Sequence, residues 1–98
     1  MEYHVTCINK PHHNSPHEHI THIGNIQGQW RLSREEAIRQ IDSGTHQFYT
    51  VDRAGRKVYI GVVRQPGRTP YLRTHADGQW NDNLLALPEC GATCKIVG

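Results

Sequence analysis

The sequence lacks long hydrophobic runs, a strong excess of charge of either sign and an even number of cysteines. Its 98 residues are 36% hydrophobic and 20% charged, and the formal net charge is +2 with neutral histidine. No apolar stretch approaches the roughly 18 residues of a membrane span, and the charge balance is too even for a dedicated nucleic-acid binder. The first residues also lack the basic and apolar segments of a secretory signal. We therefore expect a cytoplasmic protein with a single domain over residues 1–98.

Cysteine is scarce, whereas histidine is frequent and clustered. The chain has three cysteines, and a disulfide framework is not expected for an odd number of them in a reducing compartment. Reduced thiols are therefore predicted. Five of the eight histidines fall within residues 12–22, HHNSPHEHITH. The question is whether this histidine-rich segment forms a chemical site or only a polar loop.

The clearest local pattern predicts one helix over about residues 34–43. Ser33 and Glu36 have the spacing of a capping box, and Gly44 is placed to end the helix in the left-handed conformation. Trp30, just before the helix, is a predicted core residue. Alternating apolar residues predict about five strands, at about residues 3–10, 19–25, 47–51, 57–64 and 71–77. The pattern indicates an α+β fold: a small, mostly antiparallel β-sheet of about five strands, with the helix packed on one face.

Several segments together resemble a family of small bacterial proteins that is catalogued only as a domain of unknown function. They are VTCINKP, NSPHEHITHIG, LSREEAI with its SGTHQFY exit, and YLRTHADGQWNDNLLALPEC. The resemblance covers about residues 3–90, and its most specific part is the last of these segments. It implies a fold but no activity, cofactor or partner. The tail after Cys90, including Cys94, lies outside the resemblance.

A zinc site is the first candidate for chemistry. Zinc favours thiolate and imidazole ligands in a tetrahedral shell, and three residues separate the last two cysteines. If the two ends of the chain meet, three cysteines and one histidine can complete such a shell. The candidate metal ligands are Cys7, His12, His13, His17, His19, Cys90 and Cys94. The alternative is that the cysteines are small buried apolar residues and that the histidines lie on a surface loop.

A second candidate site lies in the segment RTHADGQWNDN. Its candidate binding residues are Arg73, His75, Asp77, Trp80 and Asp82. A carboxylate that orients a histidine can support hydrolysis, and a metal-dependent hydrolase would bring His17, His19 or His22 to this segment in a cleft. The alternative is a structured loop in which the carboxylates accept backbone amides.

A third candidate is a sheet face on which basic and aromatic residues alternate. The basic residues are Arg53, Arg56, Lys57, Arg64, Arg68 and Arg73, and the aromatic residues are Tyr49, Tyr59 and Tyr71. Such a face can bind phosphates and stack bases, or it can be an ordinary solvated face with cross-strand aromatic pairs.

The chain has no P-loop, nucleophile elbow or metalloprotease helix. These patterns together favour a small non-enzymatic binding or regulatory module that contacts another macromolecule, a protein in preference to a nucleic acid, with no membrane partner. The alternative is a metal-binding domain with zinc as its cofactor, in which the site is either structural or that of a metal-dependent hydrolase using the histidine-rich segment.

Overall fold

The structure, a computed structural model, describes residues 1–12, 14–76 and 78–97. Over these residues the elements are β1 Glu2–His4, β2 Cys7–Asn9, a 3-10 helix at His17–His19, β3 His22–Asn25, β4 Trp30–Ser33, α1 Arg34–Ser43, β5 Gln47–Val51, β6 Lys57–Val63, β7 Tyr71–Ala76, β8 Gln79–Asn81 and β9 Lys95–Val97. Within the described ranges, no helix has the length and apolar character needed to cross a membrane.

The strands form two sheets. The five-stranded sheet has the order β1-β5-β6-β7-β8, and its only parallel pair is β1 with β5. The four-stranded sheet has the order β2-β3-β4-β9, in which β9 runs parallel to β4. The α+β fold with a five-stranded, mostly antiparallel sheet is therefore confirmed, whereas the second sheet was not predicted.

The second sheet arises because the predicted first strand divides in two. The amide of Val5 donates to the carbonyl of Tyr49 in the five-stranded sheet at 2.7 Å. The next amide, that of Thr6, donates to the carbonyl of Gly24 in the four-stranded sheet at 2.8 Å. The chain thus passes from one sheet to the other between Val5 and Thr6, and a single strand over residues 3–10 was a wrong prediction.

The helix begins and ends where the sequence predicts. The hydroxyl of Ser33 accepts from the amide of Glu36 at 3.1 Å, which satisfies one of the free amides of the first turn. Gly44 ends the helix with φ 74°, a conformation that costs glycine no steric strain. The carboxylate of Glu36 accepts from Arg39 and Gln40 on the following turn. The Ser33 hydroxyl therefore sets the start of α1, and the left-handed backbone of Gly44 sets its end.

The main hydrophobic core lies between the two sheets and α1, which contacts strands of both sheets. Its buried members are Val5, Ile8, Ile20, Ile23, Leu32, Ala37, Phe48, Ile60, Leu72 and Leu84. Trp30, predicted as a core residue, is only partly buried and packs against the edge of this core. Because successive strand residues point to opposite faces, the residues that alternate with the core residues of β5, β6 and β7 lie on the outer face of the sheet.

Candidate functional site

One cross-strand row on the outer face of the five-stranded sheet carries a ring on every strand. The partners in register are His4 with Tyr49, Tyr49 with Tyr59, Tyr59 with His75, and His75 with Trp80. We call these five residues the aromatic row. With strands about 4.8 Å apart, the row spans roughly 19 Å across the sheet.

Three of the four neighbouring pairs in the aromatic row pack ring against ring. His4 and Tyr49 are stacked, with ring centroids 5.1 Å apart and an interplanar angle of 2°. The centroids of Tyr49 and Tyr59 are 6.2 Å apart, and His75 meets Trp80 edge-on at 5.0 Å. Tyr59 and Trp80 nevertheless remain 39% and 41% exposed. The row is therefore an ordered surface of rings that faces solvent.

Gly61 leaves room for the largest of these rings. A Cβ atom at Gly61 would lie 3.1 Å from Cη2 of Trp80 and 3.2 Å from its Cζ3. The absence of a side chain thus lets the indole lie over the backbone of β6. The position of Trp80 depends on this glycine as well as on its partner His75.

The cations around the aromatic row are paired with carboxylates. Lys57 Nζ lies 4.6 Å from the centre of the Tyr49 ring and donates to Glu2 Oε1 at 3.1 Å. The Tyr59 hydroxyl donates to the same carboxylate oxygen at 3.0 Å. Hydrogen bonds from Lys57 and then from Tyr59 hold the pKa of Glu2 below its usual range. The aromatic row thus carries a local ion pair.

Three of the five arginines predicted to contact nucleic acid have acidic partners. Arg73 Nη2 donates to Asp82 Oδ1 at 2.9 Å, and Arg56 Nε donates to Asp52 Oδ2 at 3.0 Å. Arg64 pairs with Asp42. Tyr71, predicted as an exposed aromatic residue of this face, is only 7% exposed. The predicted exposure of Tyr71 is wrong, because its side chain is buried.

The histidine-rich segment does not gather into a metal site over the residues described. His12 and His19 are exposed, whereas His17 is buried, and His17 and His19 lie on the 3-10 helix where a strand was predicted for His19. His13 lies outside the described residues. In the described part of the chain, the only group of ligand side chains spaced for a metal ion consists of cysteines. Histidine frequency in the sequence therefore did not indicate where the side chains point.

One histidine of the segment does meet the second candidate site. His17 Nε2 lies 3.5 Å from Asp82 Oδ1, which is too long for a well-formed hydrogen bond. Asp82 also pairs with Arg73, while His75 turns to Trp80 on the outer face, and Asp77 lies outside the described residues. The contact joins the 3-10 helix to the end of the five-stranded sheet. It places the histidine-rich segment beside the second candidate site without a well-formed hydrogen bond between His17 and Asp82.

His17 and His22 predict a loss of stability at mildly acidic pH. Burial, and then the Arg73 guanidinium, lowers the pKa of His17, although Asp82 acts in the opposite direction. Burial, and then Arg31, lowers the pKa of His22. Each imidazole is therefore protonated more readily in the unfolded chain. The free energy of unfolding should be fully retained above about pH 6.5 and should fall as the pH decreases below it.

Urea denaturation between about pH 7.5 and about pH 5 checks this prediction, since carboxylates stay ionised over most of that range. His17→Gln should flatten the dependence of the unfolding free energy on pH. Asp82→Asn should steepen this dependence, because the substitution removes a carboxylate of the second candidate site that favours protonated His17. Equal slopes for the wild type and both variants would contradict the assignment.

The three cysteines come together although Cys7 is distant from the other two in the sequence. Cys7 and Cys90 form a disulfide with Cα atoms 4.9 Å apart, and Cys94 is a free, buried thiol. The three sulfur atoms all lie within 4.8 Å of one another. We call these residues the cysteine cluster. The prediction of reduced thiols is thus wrong for Cys7 and Cys90, whereas the condition set for a shared site, that the two ends of the chain meet, is fulfilled.

The chain ends meet through backbone pairing next to the cluster. Ile8 forms a parallel bridge with Glu89. The amide of Ile8 donates to the carbonyl of Pro88 at 3.0 Å, and the amide of Cys90 donates to the carbonyl of Ile8 at 2.9 Å. This long-range bridge has no local sequence signal, so the sequence did not reveal which sulfur pair would bond.

Sequence reasoning named four of the five rings in the aromatic row but missed His4. Tyr49 and Tyr59 belonged to the predicted basic and aromatic face, and His75 and Trp80 to the second candidate site. Strand parity relates Tyr49 to Tyr59, because they flank a short hairpin. His4 joins the row only through the parallel pairing of β1 with β5, which no local pattern indicates.

A protein family described as "Protein of unknown function (DUF3892)" matches residues 4–88 of the chain. No curated protein and no solved structure matches the chain. The matched range contains every ring of the aromatic row and Cys7, whereas Cys90, Cys94 and β9 lie beyond it. The aromatic row therefore lies wholly within the family match, and the cysteine cluster only in part.

Proposed function

The chain belongs to the DUF3892 family of proteins of unknown function, and from this premise we propose that it is a non-enzymatic binding module whose aromatic row contacts another protein. The observation that carries the proposal is the row itself, in which Tyr59 and Trp80 remain 39% and 41% exposed. Tyrosine, tryptophan and arginine are the residues that most often dominate the binding energy of protein interfaces. Rings assembled across a whole sheet face offer such a surface.

The packing of the rings supports binding without a large loss of side-chain entropy. His4 stacks on Tyr49, and His75 contacts Trp80, before any partner is present. Ordering a mobile side chain at an interface costs about 0.5–1.5 kcal/mol. Because these side chains are already ordered by their neighbours, that cost is reduced.

The charges favour a protein partner over a nucleic acid. Binding to nucleic acid depends on cations that are free to neutralise phosphates. Lys57 already pairs with Glu2, and Arg73 with Asp82. Two cations of this ring-rich face are therefore already paired with carboxylates, which suits the centre of a protein interface. The cytoplasmic location expected from the sequence stays a prediction.

A photo-crosslinking experiment tests the proposal. A photoreactive phenylalanine analogue replaces Tyr59 in one protein and Ile26 in the control, since Ile26 is equally exposed at 38% but lies in a turn of the other sheet. We expect a protein crosslink in lysate of the source cells from position 59 only. Trp80→Ala in the position-59 protein should remove it.

The captured protein, once purified, should bind the wild type and lose roughly 10-fold or more in affinity for Trp80→Ala. Ile26→Ala should leave the affinity unchanged, and the affinity should depend only weakly on salt. Crosslinked material that disappears after nuclease treatment, with a steep salt dependence, would show that the partner is nucleic acid. Equal crosslinking from positions 59 and 26 would overturn the proposal.

The hydrolase alternative has weaker support. It rests on the contact between His17 and Asp82, which is 3.5 Å long. His12 and His19 are exposed and are not part of a metal-ligand group in the described chain. We therefore place zinc chemistry at the cysteine cluster and not in the histidine-rich segment.

A further inference from the structure

We infer that the reduced cysteine cluster binds a thiophilic divalent metal ion such as Zn²⁺, and that formation of the Cys7–Cys90 disulfide expels this ion. Cys7, Cys90 and Cys94 are all buried, and their sulfur atoms lie within 4.8 Å of one another. Sulfur ligands about 2.3 Å from a tetrahedral zinc ion are about 3.8 Å apart. No pair of sulfurs therefore needs to close by more than about 1 Å, and the bonded sulfurs of Cys7 and Cys90 move apart on reduction.

The scaffold that gathers the three sulfurs consists of backbone hydrogen bonds as well as the disulfide. The amide of Cys90 donates to the carbonyl of Ile8 at 2.9 Å, which places Cys90 beside β2. The amide of Cys94 donates to the carbonyl of Gly91 at 3.0 Å, in a turn that brings Cys94 back towards Cys90. These hydrogen bonds do not involve the sulfur atoms, so we expect them to keep the three thiols close together in the folded, reduced chain.

A positive charge lies beside the cluster. Three thiolates and one Zn²⁺ have a net charge of −1, which is costly to bury without a compensating group. Arg31 shares a cross-strand row with Cys7, and only Gly24 stands between them. The Arg31 guanidinium donates to Asn9 Oδ1 at 3.1 Å, and the Asn9 amide donates to the carbonyl of Cys90 at 3.1 Å. Arg31 therefore offsets the charge of the metal centre.

Two further observations support this role for Arg31. Its Nε atom is buried and lacks a hydrogen-bond partner among the described residues, so the guanidinium has an unused donor. A Cβ atom at Gly24 would clash with the carbonyl oxygen of Trp30 and lie 3.0 Å from the Cβ of Arg31, so the glycine lets β4, and Arg31 with it, lie close to β3.

The three cysteines leave one position of a tetrahedral shell without a ligand among the described residues.

The metal-bound and disulfide states exclude each other because they use the same sulfurs. A thiol reductant transfers two electrons to the disulfide and, with two protons, yields the thiols of Cys7 and Cys90. Zn²⁺ then displaces three protons from the three thiols. A low-molecular-weight disulfide reverses the process. It takes two electrons from the thiolates of Cys7 and Cys90 and two protons from solvent, and it is released as two thiols. The Cys7–Cys90 bond forms, Zn²⁺ leaves, and Cys94 takes up a third proton. In a reducing compartment the metal-binding form prevails.

Metal titration of the untagged full-length chain tests the inference. The chain is reduced, and the reductant is then removed under anaerobic conditions. The reduced chain competes for Zn²⁺ with a chromophoric chelator, which gives the stoichiometry and the affinity. In a second titration with Cd²⁺, the ultraviolet charge-transfer absorption reports thiolate ligation. We expect one ion per reduced chain and none at comparable affinity in the oxidised chain. Cys94→Ser keeps the disulfide as a check on folding, and it should lower the affinity of the reduced chain roughly 100-fold or more.

The controls separate the cysteine cluster from adventitious binding by histidine. The double variant His12→Ala, His19→Ala should bind Zn²⁺ as the wild type does. Loss of binding in this variant, or equal binding by the oxidised wild type, would overturn the inference. Oxidised glutathione should release one Zn²⁺ per chain as the Cys7–Cys90 disulfide appears in peptide mass spectra. Release accompanied by a Cys90–Cys94 bond instead would refute the proposed exchange.

Discussion

Reduction of the Cys7–Cys90 disulfide in metal-free protein is expected to lower the free energy of unfolding by about 4–5 kcal/mol. The two cysteines are 83 residues apart, so the bond closes a loop that includes most of the chain. In the chain-entropy account, a cross-link of this span removes about 4–5 kcal/mol of conformational freedom from the unfolded state. A domain of this size has a total stability of only about 5–15 kcal/mol. The bond is therefore a large part of what keeps the protein folded.

Urea denaturation of the oxidised and the reduced protein, both with chelator, measures this difference. Cys90→Ala removes the bond genetically, so reductant should have no further effect on that variant. Zn²⁺ should restore part of the lost stability to the reduced wild type, because an ion that binds only the folded state stabilises it. Unfolding midpoints that coincide with and without reductant would show that the bond does not stabilise the fold.

Phe48→Ala is expected to lower the free energy of unfolding by about 3–5 kcal/mol. The Phe48 side chain on β5 is only 2% exposed and belongs to the main core. Its ring also stacks on that of Tyr3, with centroids 5.8 Å apart, which ties β1 to the core. Truncation to alanine removes the buried ring and leaves a cavity between the two sheets, and both effects destabilise.

Gln47→Ala, on the neighbouring exposed position of the same strand, provides the matched control and should change stability by no more than about 0.5 kcal/mol. Phe48→Leu should have an intermediate effect because it keeps much of the buried volume. Circular dichroism melts of the four proteins give this order directly. A loss for Phe48→Ala as small as that of the control would mean that the ring is not part of the core.

The parts of the fold that the sequence predicted are those set by neighbouring residues. Ser33 and Gly44 set the ends of α1 through contacts within a few positions, and short connections pair β5, β6 and β7. The second sheet was missed because the first strand divides, and that division depends on the pairing of β1 with β5 across more than forty positions. The last strand of the second sheet, β9, joins β4 across more than sixty positions. Local periodicity carries no information about such partners.

The candidate site was predicted only in part for a similar reason. The cysteine cluster was proposed from residue type, but the bond between Cys7 and Cys90 depends on how the chain ends meet. The histidine-rich segment gave the strongest compositional signal, yet His12 and His19 are exposed and His17 is buried. Composition records which ligands are present but not their direction. Tyr49 and Tyr59, in contrast, were both placed on the predicted sheet face, and they are cross-strand partners.

The division of the first strand between two sheets has a consequence for the order in which the protein folds during synthesis. β1 stays unpaired until the ribosome has released β5, and β4 gains its second neighbour only when β9 has emerged. The hairpins of β5, β6 and β7 are complete before β9 has emerged, because local pairings form earlier than distant ones. Cys7 therefore cannot bond to Cys90 until Cys90 has left the exit tunnel, so neither the disulfide nor the three-sulfur site exists while the strands of the five-stranded sheet are being made.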